Sequence, residues 1–185
     1  VADLVGDRAR SMWVSTFHSA CVRILRQEAA KLGYSNSFTI YDSSDSLRLI
    51  TLVMKDMNLD IKRYAPRAVA GLISQAKNEL QGPADFVQSA DNAFNEVVAE
   101  IFAHYQKRLV SANAMDFDDL IGRTVEILQR NPESRQRYRS RFKHVLVDEY
   151  QDTNHAQYML IKELVGTEGE GIPLAELCVV GDADQ

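Results

Sequence analysis

Two short runs of apolar residues, each followed at once by acidic residues, constrain the possible folds of this chain most strongly. Residues 145–147 read Val-Leu-Val and lead into Asp148, and residues 177–180 lead through a glycine into Asp182. A helical pattern lies between them, and uninterrupted apolar strands that alternate with helices are typical of a parallel sheet buried on both faces. Ligands of such sheets bind outside the carboxyl ends of the strands. The sequence therefore predicts an α/β fold with a ligand site at this acidic edge.

The stretch from residue 44 to about residue 112 has a different character, because helix follows helix without a credible strand. Two of its helices carry apolar residues at helical spacing. The first stripe holds Leu47, Ile50, Val53, Met54 and Met57, and the second holds Phe94, Val97, Val98, Ile101, Phe102, Tyr105 and Leu109. We predict Asp91 as the N-cap of the second helix, because aspartate is among the preferred capping residues. The aromatic residues of the stripe are predicted core residues of a compact helical subdomain.

Both flanks of the helical stretch carry α/β patterns. Before it, residues 12–16 and 38–41 read as short strands, and the helix between them runs through Lys31 and ends at Gly33. After it, a helix over residues 117–129 precedes a basic segment. That segment contains Arg135, Arg137, Arg139, Arg141 and Lys143. Its alternating charges indicate either a contact with phosphates or a partner, or a solvated helix face.

Composition excludes several classes of protein. The chain is 45% hydrophobic and 25% charged, which is typical of a globular protein and not of a disordered or fibrous one. No apolar run reaches the ~18 residues of a membrane-spanning helix, and the first ten residues lack the apolar core of a signal peptide. Cys21 and Cys178 lie far apart and form no metal motif, so we expect two buried free thiols in a reducing cytoplasm.

The charges are distributed unevenly along the chain. The net charge is −5, yet residues 145–185 hold nine acids and one base, whereas residues 1–144 hold 20 bases and 17 acids, a net of +3. This asymmetry suggests one surface for a polyanion and another for a cation.

The most informative string follows the first apolar run and reads Asp148-Glu149-Tyr150-Gln151-Asp152-Thr153. Adjacent residues that leave a strand point in different directions, so one carboxylate can hold Mg²⁺ while the other faces an attacking water. Nucleotide hydrolysis needs this division, because Mg²⁺ neutralises charge that develops on the phosphates and a base orients the nucleophile. A bare Asp-Glu pair, in contrast, is usually a solvated turn at the end of a strand. The sequence contains no zinc-ligand spacing and no serine nucleophile motif.

Three further strings accompany this one. They are Thr16-Phe17-His18-Ser19, Met115-Asp116-Phe117-Asp118-Asp119-Leu120 and Val180-Gly181-Asp182-Ala183-Asp184-Gln185. In this order and at these spacings, the four strings resemble the UvrD/PcrA/Rep-like superfamily 1 DNA helicases. The acidic string is similar to motif II, the Walker B variant of that family, and the first and last strings resemble motif Ib and the start of motif III. The remaining string resembles the segment by which the family's chain re-enters its first motor domain.

The resemblance implies a fold and a domain organisation. The fold is α/β, a partial RecA-like parallel sheet of the P-loop NTPase type with an inserted all-helical subdomain. Residues 1–43 and 115–185 correspond to parts of RecA-like domain 1A, and residues 44–114 correspond to helical subdomain 1B.

The resemblance also implies ATP and Mg²⁺ as cofactors and assigns roles to matching residues. Asp148 is the carboxylate associated with Mg²⁺, and Glu149 is the general base for the attacking water. Gln151 and Gln185 belong to the coupling of the γ-phosphate with DNA. The residues that line the DNA groove are Thr16, Phe17, His18 and Ser19. A different interpretation of His18 is a histidine at a helix start that the local backbone satisfies.

The chain also departs from the family pattern. No glycine is followed by lysine, so the phosphate-binding loop G-x-x-x-x-G-K-[ST] is absent. We therefore expect a piece of an ATP-dependent 3′-to-5′ DNA helicase of repair and replication, inactive by itself and cytoplasmic. Its expected partners are single-stranded and forked DNA, with repair or transcription proteins as further candidates and no membrane. Two alternatives stay open, a non-catalytic DNA- or protein-binding module centred on residues 44–114 and a related helicase–nuclease subunit.

Overall fold

The computed structural model describes residues 6–169 and 174–182. In these residues the α-helices are α1 Phe17–Glu28, α2 Ser43–Asp56, α3 Pro66–Asn78, α4 Pro83–Ser89, α5 Ala93–Ser111, α6 Phe117–Arg130, α7 Pro132–Arg141 and α8 His155–Val165. Short 3₁₀ helices cover Gly6–Ser11, Ala29–Leu32 and Tyr150–Asp152. The strands are β1 Thr39–Tyr41, β2 Ala114–Asp116, β3 His144–Val147 and β4 Glu176–Val179. None of the described helices has both the length and the apolar composition that crossing a membrane requires.

The four strands form two separate parallel pairs. β1 pairs with β2, with Ile40 opposite Met115, and the four helices α2 to α5 connect them. β3 pairs with β4, with Leu146 opposite Cys178, and α8 makes the crossover. An α/β fold with parallel strands is therefore confirmed.

The strand predicted at residues 12–16 is wrong. These residues have no regular secondary structure before α1 begins. The ring of Trp13 packs edge-on against Phe142, 4.9 Å between centroids, while Val14 is exposed. A preference for β structure reflects packing on a paired, pleated surface, and the described residues place no partner strand beside this segment.

Within the described residues, two hydrophobic clusters form the core. One joins α1, α6 and α8 and contains Cys21, Leu25 and Leu128. The other joins α2, α3 and α5 and contains the predicted stripe of α5, with Phe102 and Tyr105 almost fully buried. It also contains the predicted stripe of α2 except Leu47, which is half-buried outside the cluster. The predicted core role of these aromatic residues is confirmed.

The start of α5 differs from the prediction by one residue. Asn92 is the N-cap, because its side-chain oxygen accepts a hydrogen bond from the backbone nitrogen of Asn95 at 2.9 Å. Asp91 instead accepts hydrogen bonds from the side-chain amides of Asn92 and Asn95. Both residue types cap helices well, so their identity alone does not decide which of two neighbours takes the position.

The pair β3–β4 is not buried on both faces, contrary to the sequence prediction. Leu146 is 76% exposed and every residue of β4 is exposed, whereas Val147 is buried. The prediction of two buried thiols fails for the same reason: Cys21 is buried, but Cys178 lies exposed on β4. A parallel sheet becomes buried only where helices cover both of its faces.

Candidate functional site

The acidic edge forms where β3 ends. Asp148 and Glu149 follow the strand directly, and both are exposed. Glu149 adopts the left-handed conformation, with φ 52° and ψ 44°, which costs a non-glycine residue ~1 kcal/mol or more. Its backbone nitrogen donates to Asp148 Oδ1 at 3.0 Å, and the backbone nitrogen of Tyr150 donates to Val180 O at 2.9 Å. These bonds hold the sharp turn that presents the two carboxylates.

Gln151 connects the two strings that follow β3 and β4. Its Nε2 donates to Glu149 Oε2 at 2.7 Å, and its Oε1 accepts from the backbone nitrogen of Asp182 at 3.1 Å. Gly181 makes this approach possible, because a Cβ at that position would lie only 2.7 Å from Gln151 Oε1. The structure thus brings together Asp148, Glu149 and Gln151, whereas Gln185 lies outside the described residues.

The donor set of this edge suits a hard cation in company with a ligand. Mg²⁺ prefers oxygen ligands and is commonly held by one or two carboxylates together with water and substrate phosphates. Asp148 and Glu149 offer exposed carboxylate oxygens of this kind. Within the described residues no group of three or more His, Cys, Asp or Glu side chains could hold a metal ion. The residues present fit Mg²⁺ bound jointly with phosphates rather than a cage built by the protein.

The predicted DNA-contacting residues Thr16 to Ser19 form the N-terminal turn of α1. Thr16 is the N-cap: its Oγ1 accepts from the backbone nitrogen of Ser19 at 3.3 Å and lies 3.1 Å from Ser19 Oγ. Both residues are exposed, while Phe17 is half-buried against the first hydrophobic cluster. The ring of His18 packs edge-on against the ring of Phe117, 5.6 Å between centroids. A side-chain ring therefore contacts His18 here.

Phe117 is a feature of this surface that the sequence analysis missed. It is the first residue of α6 and is 44% exposed. In the sequence it stands three and four residues before Leu120 and Ile121, which are buried, so helical spacing assigns it to the same apolar stripe. Only its position beside His18 at the end of the helix distinguishes it from a core residue.

The arginines of the basic segment lie on α7, and three of them, Arg135, Arg137 and Arg139, form ion pairs within the chain. Arg139 is only 5% exposed, and its Nε donates to the backbone oxygen of Glu163 at 2.7 Å. Arg137 donates to Glu28 Oε1 at 2.6 Å. Burial acts to raise the pKa of Glu28, but hydrogen bonds from Lys31 and Ser134 outweigh it and place that pKa below its usual value. The solvated-face interpretation is therefore wrong for Arg139, which fastens α7 to α8.

Comparison with known proteins identifies the family to which a chain with these features belongs. Residues 1–185, the whole chain, match the family described as UvrD/REP helicase N-terminal domain. The chain belongs to this family. UvrD1 of Mycobacterium tuberculosis, described as an ATP-dependent DNA helicase, is 58% identical over 191 aligned residues, which cover all of this chain and 25% of that protein. PcrA of Bacillus subtilis, with the same description, is 44% identical over 185 residues, which cover all of this chain and 24% of that protein.

Membership of the UvrD/REP helicase family confirms the resemblance that the four strings indicated. The chain spans about a quarter of the length of the curated relatives it matches. The strings that begin at Asp148 and Val180 lie at the carboxyl end of β3 and, within the described residues, directly after β4, and the string that begins at Thr16 forms the first turn of α1. The fourth string, residues 115–120, lies at the end of β2 and the start of α6.

Proposed function

We propose that this chain supplies part of the first motor domain of an ATP-dependent DNA helicase that moves 3′ to 5′. Residues 44–114 would be the inserted helical subdomain, and residues 1–43 and 115–185 would be parts of a RecA-like domain. The two hydrophobic clusters support this division, because one lies within the helical residues and the other joins elements from both flanks. The parallel strand pairs, each joined through helices, support the assignment to an α/β motor.

The observation that carries the proposal is the bridge formed by Gln151. In a motor, the group that acts on the attacking water must be coupled to the rest of the domain. Gln151 provides such a coupling, because its side chain joins the carboxylate of Glu149 to the backbone of Asp182, which follows the neighbouring strand β4. We assign Glu149 as the general base and Asp148 as the carboxylate associated with Mg²⁺. When bound with ATP, Mg²⁺ neutralises charge on the phosphate oxygens. Gln185, which follows Asp182 in the sequence, is the proposed γ-phosphate contact.

The proposed DNA surface is the first turn of α1 with the adjoining ring of Phe117. Thr16 and Ser19 present hydroxyl groups, and Phe17 lies between them and the core. The exposed ring of Phe117, oriented by its contact with His18, offers a face on which a base of single-stranded or forked DNA can stack. We propose the cytoplasm as the compartment of this activity, with repair and transcription proteins as candidate partners.

The sharpest test replaces the aligned residues of Bacillus subtilis PcrA with this chain and measures ATP hydrolysis with and without DNA. We expect DNA-stimulated turnover in the chimera and a loss of ~100-fold or more for Glu149→Gln, the range for a general base. Gln151→Ala should lower turnover by about tenfold, which corresponds to one net hydrogen bond. Glu133→Gln, at an exposed position of α7, is the matched control and should leave turnover unchanged.

The 185-residue chain alone should show no DNA-stimulated ATPase above background. Positioning of the phosphates supplies most of phosphoryl-transfer catalysis, and the sequence contains no glycine–lysine pair to form the phosphate-binding loop. Full turnover by Glu149→Gln in the chimera would contradict the proposed role and favour a non-catalytic binding module.

A further inference from the structure

A buried ion cluster lies where the helical residues meet the rest of the chain. Lys77, one residue before the end of α3, is 6% exposed. Its Nζ lies 2.6 Å from Asp116 Oδ2 and 3.1 Å from Asp119 Oδ1. Tyr105 donates its hydroxyl hydrogen to Asp116 Oδ2 at 2.8 Å, and Gln106 Nε2 lies 3.2 Å from both carboxylate oxygens of Asp119. One ammonium group therefore joins side chains of α3, α5, β2 and α6.

The cluster holds its charges only because they are paired. Burial acts to lower the pKa of Lys77, but the carboxylates of Asp119 and Asp116 raise it above its ordinary value, so the ammonium stays charged. Arg123 supplies a second cation, 3.9 Å from Asp119. Removing one member of a buried pair is strongly destabilising, because the remaining charge has no compensation.

The carboxylates of the cluster lie at the junction between the helical residues and the rest of the chain. Asp116 and Asp119 belong to the string by which the chain leaves the helical residues, and Asp116 also caps α6 by accepting from the backbone nitrogen of Asp119 at 2.8 Å. Asp116 and Asp119 therefore neither line the acidic edge after β3 nor lie free in solvent. They form a buried socket for a lysine 39 residues away from Asp116.

Asn78, the residue after Lys77, forms a hydrogen bond next to the acidic string that follows β3. Asn78 Oδ1 accepts from Asn154 Nδ2 at 2.8 Å. Asn154 is the N-cap of α8 and follows directly on the acidic string that begins at Asp148. The last two residues of α3 thus contact the string at the end of β2 and the residue that directly follows the string after β3.

We propose that Lys77 and Asn78 are positioning residues, which together lock helical residues 44–114 onto the elements that carry the acidic edge. As a result the two hydrophobic clusters open as one cooperative unit. Cooperative opening of the two clusters is a property of the chain without nucleotide or DNA. An experiment can therefore disprove it while the proposed helicase function still holds.

The first test is the pH dependence of Lys77→Met in the 185-residue chain. Without the ammonium, Asp116 and Asp119 are buried together with Arg123 as the cation beside Asp119. One cation does not balance two buried carboxylates, so folding favours the uptake of a proton. Their pKa values then lie above the unfolded value of about 4, so the variant is most stable in acid and loses stability as the pH rises. We expect its unfolding constant, from urea titrations, to rise at least ~10-fold more between pH 5 and pH 8 than that of the wild type.

Two further variants make this result specific. Lys62→Met removes an exposed lysine and should follow the wild-type pH profile. Adding Asp119→Asn to Lys77→Met removes one of the two competing charges and should restore most of the lost stability at pH 8. The ionisable groups packed around the cluster are common to wild type and control: Tyr34, Tyr105, Asp118, Arg123 and Glu126. Parallel pH profiles for Lys77→Met and the wild type would overturn the proposal.

The asparagine pair provides an independent test that leaves the ion cluster intact. In the Asn78→Asp variant, the new carboxylate still accepts the hydrogen bond from the Asn154 side-chain amide. In the Asn154→Asp variant, the new carboxylate accepts a hydrogen bond from the Asn78 amide once that amide has rotated by 180°, and aspartate remains a good N-cap. The double variant sets two carboxylates against each other. We expect amides of α5 and α6 to exchange with solvent deuterium at one common opening rate in the wild type and in both single variants. In the double variant, the amides of α5 should open at least ~10-fold faster than those of α6. Independent opening of α5 and α6 in the wild type would overturn the proposal. No change in the double variant would overturn it as well.

Discussion

Cys21 and Cys178 show how the surroundings of a residue set its chemistry. Cys21 is fully buried in the first hydrophobic cluster, and burial raises the pKa of its thiol to about 12 despite a hydrogen bond with Thr124. Cys178 is exposed on β4. Because the thiolate is the reactive form, burial should suppress the reactivity of Cys21 both by blocking access and by keeping its thiol protonated.

We predict that iodoacetamide at pH 8 alkylates Cys178 at least ~100-fold faster than Cys21 in the folded chain, since each unit of raised pKa lowers the thiolate fraction about tenfold. Mass spectrometry of the labelled peptides measures the ratio. Cys178→Ser serves as the control and should stay unlabelled until urea exposes Cys21. Comparable labelling of both cysteines in the folded chain would show that Cys21 is not shielded.

At the scale of elements, α5 and β4 behave in opposite ways. The apolar stripe of α5 is buried as its spacing indicates, because α2 and α3 pack against it. The apolar residues of β4 are exposed although their sequence is equally apolar. Periodicity identifies the kind of element, and the elements around it decide whether its apolar face is covered.

The N-cap of α5 gives a prediction at this scale. Asn92→Ala should lower the free energy of unfolding by about 1 kcal/mol, the usual cost of losing a cap, because the backbone nitrogen of Asn95 loses its acceptor. Asp91→Ala removes exposed side-chain contacts and should cost only about 0.3 kcal/mol. Urea unfolding of the two variants compares them directly, and a larger cost for Asp91→Ala would identify Asp91 as the cap.

At the scale of the whole molecule, the uneven charge distribution limits how the chain binds polyanions. The net charge is −5, and the excess of bases within residues 1–144 is only three. Several arginines are also engaged inside the fold, as Arg137 and Arg139 are on α7. Non-specific affinity for DNA depends on how many phosphates the cations neutralise, so few contacts remain available.

We predict that the 185-residue chain binds single-stranded and forked DNA with a Kd of ~10⁻⁴ M or weaker at physiological salt, and that binding disappears as salt rises. Fluorescence anisotropy at 50 and 200 mM salt measures both. Phe117→Ala should weaken the low-salt binding, whereas His155→Ala, at an exposed position of α8, should not. Tight binding that ignores salt would indicate a dedicated binding module instead of part of a motor.

The amino-acid sequence by itself determined most of the helices, the apolar stripes of α2 and α5, the parallel strands and the family. These properties depend on residues close together in the chain, and their spacing and order can be recognised without a structure. Around the candidate site, the order Asp148, Glu149, Gln151 was equally legible.

Only the tertiary structure decided which surfaces are covered and which distant groups meet. The run at β4 is exposed, Phe117 leaves its stripe to contact His18, and Gln151 reaches the backbone of Asp182 across 31 residues. The same holds for Lys77 and Asp116, whose charges indicate solvent exposure in a sequence but are buried because they pair. Burial and pairing depend on how separate elements pack against one another, and local spacing does not show which distant elements meet.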